Sequence, residues 1–117
     1  MILRKSYIRK DRWNGDRKWG EEVPYGTKGS VRPDYYKEGS SIDIKNYNIE
    51  NSSGRSRLVE NIKKQYYQRV KNLPKDTSQT VVIDVRGQNV SDEILAELKR
   101  DIEKETKNGI EVIFKLE

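Results

Sequence analysis

The apolar residues of this chain are few, and they are gathered into three stretches, each with its own period. From Ile42 to Tyr47 they alternate, as in a strand with one covered face. From Leu58 to Leu73 they recur as Leu58, Ile62, Tyr66, Val70 and Leu73, the four-and-three spacing of an amphipathic helix that Pro74 ends. From Val81 to Leu116 a short β-branched run (TVVIDVR, 80–86) precedes a second helix. That helix has Ser91 as its N-cap, Asp92 and Glu93 in its first turn and Asn108-Gly109 as its stop. A last strand follows from Ile110, with Ile110, Val112, Phe114 and Leu116 expected on one side. Overall apolar content is 32% against 37% charged, a balance that alone leans toward disorder, but periodic clustering argues for one folded domain with one modest core.

GSVRPDYY and SIDIKNY, the latter holding the first stretch, flank a Lys37-Glu38-Gly39-Ser40 turn and read as a hairpin. Residues 50–57 read as a loop, and a weakly marked helix is expected over 16–22. The order is β-β-α-β-α-β, and strand–helix–strand units with right-handed crossovers imply an α/β sandwich around a mixed sheet of four strands. Within SIDIK, Ile42 and Ile44 lie on one side and Asp43 and Lys45 on the other; the two polar residues are expected to face away from the apolar layer.

The net charge of +5 has one address. Residues 1–18 hold seven Lys or Arg against Asp11 and Asp16, while the remaining 99 residues carry 17 charges of each sign. Arg4, Lys5, Arg9, Lys10 and Arg12 are interleaved with Tyr7, Trp13 and Trp19. This mixture suits phosphate contacts with base stacking, and equally a solvated leader from a longer polypeptide. The expected division is a basic, flexible arm over 1–18 and the folded domain over 19–117.

There is no cysteine, hence no disulfide or thiolate metal site, and no histidine, which excludes Ser-His-Asp hydrolases, histidine metal nucleases and paired-histidine ribonucleases. The lack of cysteine fits the cytoplasm or a domain that crosses an envelope unfolded. No apolar run approaches the roughly 18–20 residues of a membrane span, and no signal-peptide core is present.

A phosphodiester can be cleaved without these residues by carboxylates that hold Mg²⁺ or Mn²⁺, with a lysine close by to steady charge. The hairpin carries that set: Asp34 on one strand, with Asp43 and Lys45 on the other, their Cα atoms roughly 6.5–7 Å apart. The pattern acid-x-Lys occurs four times, at Asp16, Asp43, Glu97 and Glu105, and only the copy at Asp43 sits between isoleucines in a strand after a Pro-Asp strand. Read without further context, Asp34 also suits a turn, and Asp43 and Lys45 the solvated side of an edge strand. Asp84 is expected to pair with Arg86 or a backbone donor.

The segment VRPDYYKEGSSIDIKNYNI resembles the catalytic hairpin of the PD-(D/E)XK superfamily, with Asp34 matching its first acid and Asp43-Ile44-Lys45 its (D/E)-x-K. The later QTVVIDVRGQ, following a helix that ends in NLP, is similar to restriction-endonuclease-like toxin domains at the C-termini of bacterial polymorphic toxins, including contact-dependent growth inhibition and Rhs types. The resemblance spans about residues 19–116. It implies a restriction-endonuclease-like three-layer sandwich of order (α)ββαβαβ with a mixed four-stranded central sheet. It also implies a metal-dependent endonuclease, with Mg²⁺ or Mn²⁺ held by Asp34 and Asp43 and by Glu21 (or Glu22) on the first helix. Lys45 would act on the scissile phosphate and Gln65 would be the helix glutamine many members place beside it, although Gln65 also reads as an ordinary exposed residue. Arg69, one turn on, joins the arm residues as a nucleic-acid contact. DNA is placed just ahead of RNA as substrate; a tRNA-cleaving toxin of the same fold and a non-enzymatic nucleic-acid-binding module are the alternatives. The likeness further implies delivery as part of a larger secreted or cell-surface toxin, action in the target-cell cytoplasm, and a one-to-one complex with an acidic immunity protein.

Overall fold

Two strand–helix–strand crossovers that step across a sheet in the same direction must carry their helices to the same face if both are right-handed. The computed structural model, which describes residues 7–10 and 20–117 (Lys10, Gly20 and Glu21 by backbone alone), has this arrangement. The hairpin strands β3 (Tyr35–Lys37) and β4 (Ser40–Lys45) pair antiparallel, and helix α1 (Ser52–Asn72) leads to β5 (Ser78–Asp84), parallel to β4. Helix α2 (Asp92–Glu105) leads to β6 (Ile110–Lys115), parallel to β5, so the four-stranded mixed sheet has the order β3-β4-β5-β6.

Both helices contribute to one core. Leu58 and Ile62 of α1 and Leu95, Leu98 and Ile102 of α2 pack with Val81 and Ile83 of β5 and Ile110 and Val112 of β6. On the other face the register sets Ile44 beside Val82 and Val82 beside Ile113, and Ile44 and Ile113 remain 46% and 43% exposed. The expectation of three layers is therefore corrected: among the described residues the domain has two, one sheet and one helical layer. Equal direction of the two crossovers is the reason.

The faces of β4 are also the reverse of the expectation. Asp43 is buried and Lys45 is partly covered by α1, whereas Ile44 lies on the open face. Alternation says that Asp43 and Lys45 share a side; the crossover decides that this side meets the helices.

Helix α1 starts six residues before Leu58, so most of the segment read as a loop is helical. The Asn51 side chain caps it, accepting from the Gly54 N–H at 2.7 Å. Its covered stripe runs Leu58, Ile62, Tyr66, Arg69 and Leu73, with Val70 turned out at 53% exposure. Helix α2 begins as its sequence implies, with the Ser91 hydroxyl accepting from the Ile94 N–H at 3.2 Å. Lys107 and Asn108 turn the chain at positive φ before β6, and Leu116 lies past that strand at 61% exposure, off the face on which it was expected.

A second, two-stranded sheet joins β1 (Tyr7–Lys10) to β2 (Gly20–Val23). The helix expected over 16–22 is thus a strand from Gly20 onward; residues 16–19 lie outside the described residues. Within β1, Ile8 exchanges backbone hydrogen bonds with Val31 at 2.7 and 2.9 Å and is fully buried against Val31, Tyr36 and Leu73. This part of the basic arm is built into the domain, because one apolar side chain in it completes a small core. Among the described residues no helix is long and apolar enough to cross a membrane.

Candidate functional site

The hairpin ladder ends at Tyr35 opposite Ile42, and beyond it two aspartates continue the pairing with their side chains. The Asp34 N–H donates to Asp43 Oδ1 at 3.2 Å, and the Ile44 N–H donates to Asp34 Oδ2 at 2.7 Å. Each carboxylate thus grips the backbone of the opposite strand or of its flank, and the two acids are fixed relative to one another before any ligand arrives.

Helix α1 supplies the other half. Lys45 Nζ donates to Gln65 Oε1 at 2.7 Å, and one helical turn further Arg69 donates to Asp43 Oδ2 in a buried ion pair. Two residues along the strand match four along the helix, running in opposite directions, because a strand repeats its face every second residue and a helix every three to four. The result is a polar seam, Lys45–Gln65 and Asp43–Arg69, between sheet and helix, continued by buried Ser41 and by Gln79, whose amide donates to the Tyr66 carbonyl at 3.4 Å. Asp43 and Arg69 are 5% and 6% exposed. Burial pushes the Arg69 guanidinium below its ordinary pKa, while the negative charges of Asp43 and Asp34 pull it back up.

Of the residues named from sequence, Asp34, Asp43, Lys45 and Gln65 come together here. Arg69 also arrives, but as the buried partner of Asp43 and not as a contact open to nucleic acid. Its place in the covered stripe, where Val70 was expected, is the physical reason. The backbone of Glu21 lies in β2 opposite Arg9, on a strand and not on a helix; its side chain is outside the described part, as are Arg4, Lys5 and Arg12. Arg9 and Lys10 lie on β1.

Gln88, the last residue of the QTVVIDVRGQ segment, is given no role from sequence and matters to the site's frame. It lies between β5 and α2, accepts from the Ile49 N–H at 2.8 Å and donates to the Tyr47 carbonyl at 2.8 Å. These bonds tie down the connection that leaves Lys45 and enters α1. Its partners are about forty residues away, so no local pattern reveals it. The expected pairing of Asp84 is present: Arg86 donates to it from Nε, from a terminal nitrogen and from its backbone N–H, at 3.0, 2.7 and 3.1 Å. These bonds hold the Asp84 carboxyl at about 2, below the ordinary 3.8.

Among the described residues no three carboxylates or other ligating side chains converge. Asp34, expected on the first hairpin strand, lies one residue before β3; with Asp43 of β4 it offers hard oxygen donors, and Asp43 already holds a cation, the Arg69 guanidinium. That donor chemistry fits Mg²⁺ or Mn²⁺, which commonly take one or two carboxylates and fill their remaining positions with water and phosphate oxygen.

No family model matches the chain, and no curated protein matches it. Among solved structures, the chain is similar to one described as the CdiA-CT/CdiI toxin and immunity complex from Yersinia pseudotuberculosis. The match has 19% sequence identity and a TM-score of 0.47, and covers 81% of this chain and 86% of the other. A likeness of this degree assigns no role to any residue here.

Proposed function

We propose that this domain is a metal-dependent nuclease of the restriction-endonuclease-like kind, acting as the toxic part of a larger delivered toxin. The observation that carries the reading is the convergence of Asp34, Asp43 and Lys45 at one place, with Lys45 held by Gln65. The acid-x-Lys spacing is common; what favours the nuclease reading is its combination with a second aspartate, Asp34, which flanks β3 and is bonded across the hairpin.

In this reading Asp34 and Asp43 hold Mg²⁺ or Mn²⁺, with no third protein carboxylate required. A divalent ion so placed would polarise a phosphoryl oxygen and acidify a water. Lys45 neutralises charge that builds on the phosphate, and Gln65 fixes where its ammonium points. Arg9 and Lys10, on the small sheet, are phosphate contacts of the arm. DNA remains just ahead of RNA, and the sequence likeness to polymorphic toxins is the support for delivery to a target-cell cytoplasm and for an acidic immunity partner that binds one-to-one.

Incubation of DNA and of total RNA with the protein, with Mg²⁺ or with EDTA, tests this. Cleavage should require the metal, and Lys45→Ala should lower it by about two to three orders of magnitude, the usual scale for a lost transition-state contact. Lys45 is preferred to Asp43 for this purpose because its bond to Gln65 lies in a partly exposed position, so that its loss leaves the fold intact. Binding without cleavage in every condition would establish the nucleic-acid-binding module instead, and cleavage of RNA alone the tRNA-directed enzyme.

A further inference from the structure

We infer that Arg69 is a built-in counter-cation for the carboxylate pair, and that it competes with a divalent ion for Asp43 and thereby sets the affinity of the site. The inference rests on the metal-site reading above and goes beyond it, since that reading gives Arg69 no part.

Asp43 Oδ1 is engaged by the Asp34 N–H and Oδ2 by Arg69, so no oxygen of this carboxylate is without a donor. Asp34 Oδ2 is engaged by the Ile44 N–H. Two carboxylates cross-bonded over one hairpin, Asp43 buried and Asp34 half-buried, repel each other and are relieved by a positive charge between the sheet and α1. Arg69 supplies it in the absence of metal. A divalent ion bound by Asp43 would share that carboxylate with the guanidinium, and the two positive charges repel each other at close range. The backbone of α1 is continuous helix from Ser52 to Asn72 and is anchored by buried Leu58, Ile62 and Leu73, so the Arg69 side chain is the part that yields. The repulsion between ion and guanidinium, or the work of moving the guanidinium aside, is subtracted from the affinity.

A purely structural ion pair makes the opposite forecast. Removing Arg69 would then weaken the fold and leave metal affinity unchanged or lower. The test is calorimetric titration of Mn²⁺ into the full chain and into Arg69→Gln, with thermal unfolding of both in EDTA and in Mn²⁺. Arg69→Gln should bind Mn²⁺ at least about tenfold more tightly, the scale of one charge-assisted hydrogen bond no longer to be broken. It should melt below the wild type in EDTA and recover most of the difference in Mn²⁺. Should Arg69→Gln not fold, Arg69→Lys replaces it. The shorter ammonium reaches Asp43 less well, and its Mn²⁺ affinity should exceed that of the wild type. Wild-type binding of Mn²⁺ with no gain in the variant overturns the role of Arg69 alone. Absence of Mn²⁺ binding in wild type and variants overturns the metal site and this inference together.

Discussion

Replacing Asp43 with alanine leaves the Arg69 guanidinium 6% exposed and deprived of the carboxylate to which it is bonded. Breaking a buried ion pair from one side costs roughly 3–5 kcal/mol, far more than the pair contributes relative to an apolar substitute, because the remaining charge keeps its full desolvation penalty. A domain of this size holds about 5–15 kcal/mol in all. With a urea dependence of about 2 kcal/mol per molar, the unfolding midpoint of Asp43→Ala should fall by roughly 2 M. The measurement is equilibrium urea unfolding followed by far-UV circular dichroism, in EDTA so that metal does not contribute. The double variant Asp43→Ala, Arg69→Leu removes both charges and should regain most of the loss. If Asp43→Ala unfolds within about 0.5 kcal/mol of the wild type, or the double variant is no better than the single, the buried pair is not what holds this seam. The consequence for enzymology is direct: lost activity in Asp43→Ala mixes chemistry with folding, whereas Lys45→Ala reports on chemistry.

Two further perturbations probe the frame around the site. A methyl group added at Gly54, in the first turn of α1, would run into the backbone carbonyl of Asn48, so Gly54→Ala should cost about 1–3 kcal/mol in thermal unfolding, with exposed Ser53→Ala as the near-neutral control. The folded Asp84 carboxyl titrates at about 2 against an ordinary 3.8, a depressed value, so its stabilising contribution is complete above the ordinary value and is lost as pH falls toward 2. The stability gap between wild type and Asp84→Asn should therefore be open at pH 5 and narrow as pH falls through that window; a gap independent of pH would show that the Arg86 pairing does not produce the shift.

Much of this architecture is local and could be read directly. The order of the hairpin and the two crossovers follows from where the apolar period changes between two and 3.6. The start of α2 follows from Ser91 with Asp92 and Glu93, since a cap needs only the residues that it caps. The meeting of Asp34 with Asp43 is equally local, because a tight turn at Glu38-Gly39 brings the flanking residues together whatever else the chain does.

What escaped the sequence depends on partners distant along it. Period two places Asp43 and Lys45 on one side of β4, yet which side is covered depends on where the crossover helices go, and both go to the same face. Helical period places a covered residue near position 69 or 70, and a charged side chain looks like the wrong choice for it until the carboxylate that receives it is known to lie across the interface. Ile8 is an isolated apolar residue in a basic segment, and only Val31, Tyr36 and Leu73 make it core. Local pattern sets the order of the main elements from the hairpin onward and the carboxylate pair; the contact of β4 with α1 decides that one of those carboxylates is buried and already neutralised. Periodicity is a property of one element, whereas burial and charge compensation are properties of two elements in contact.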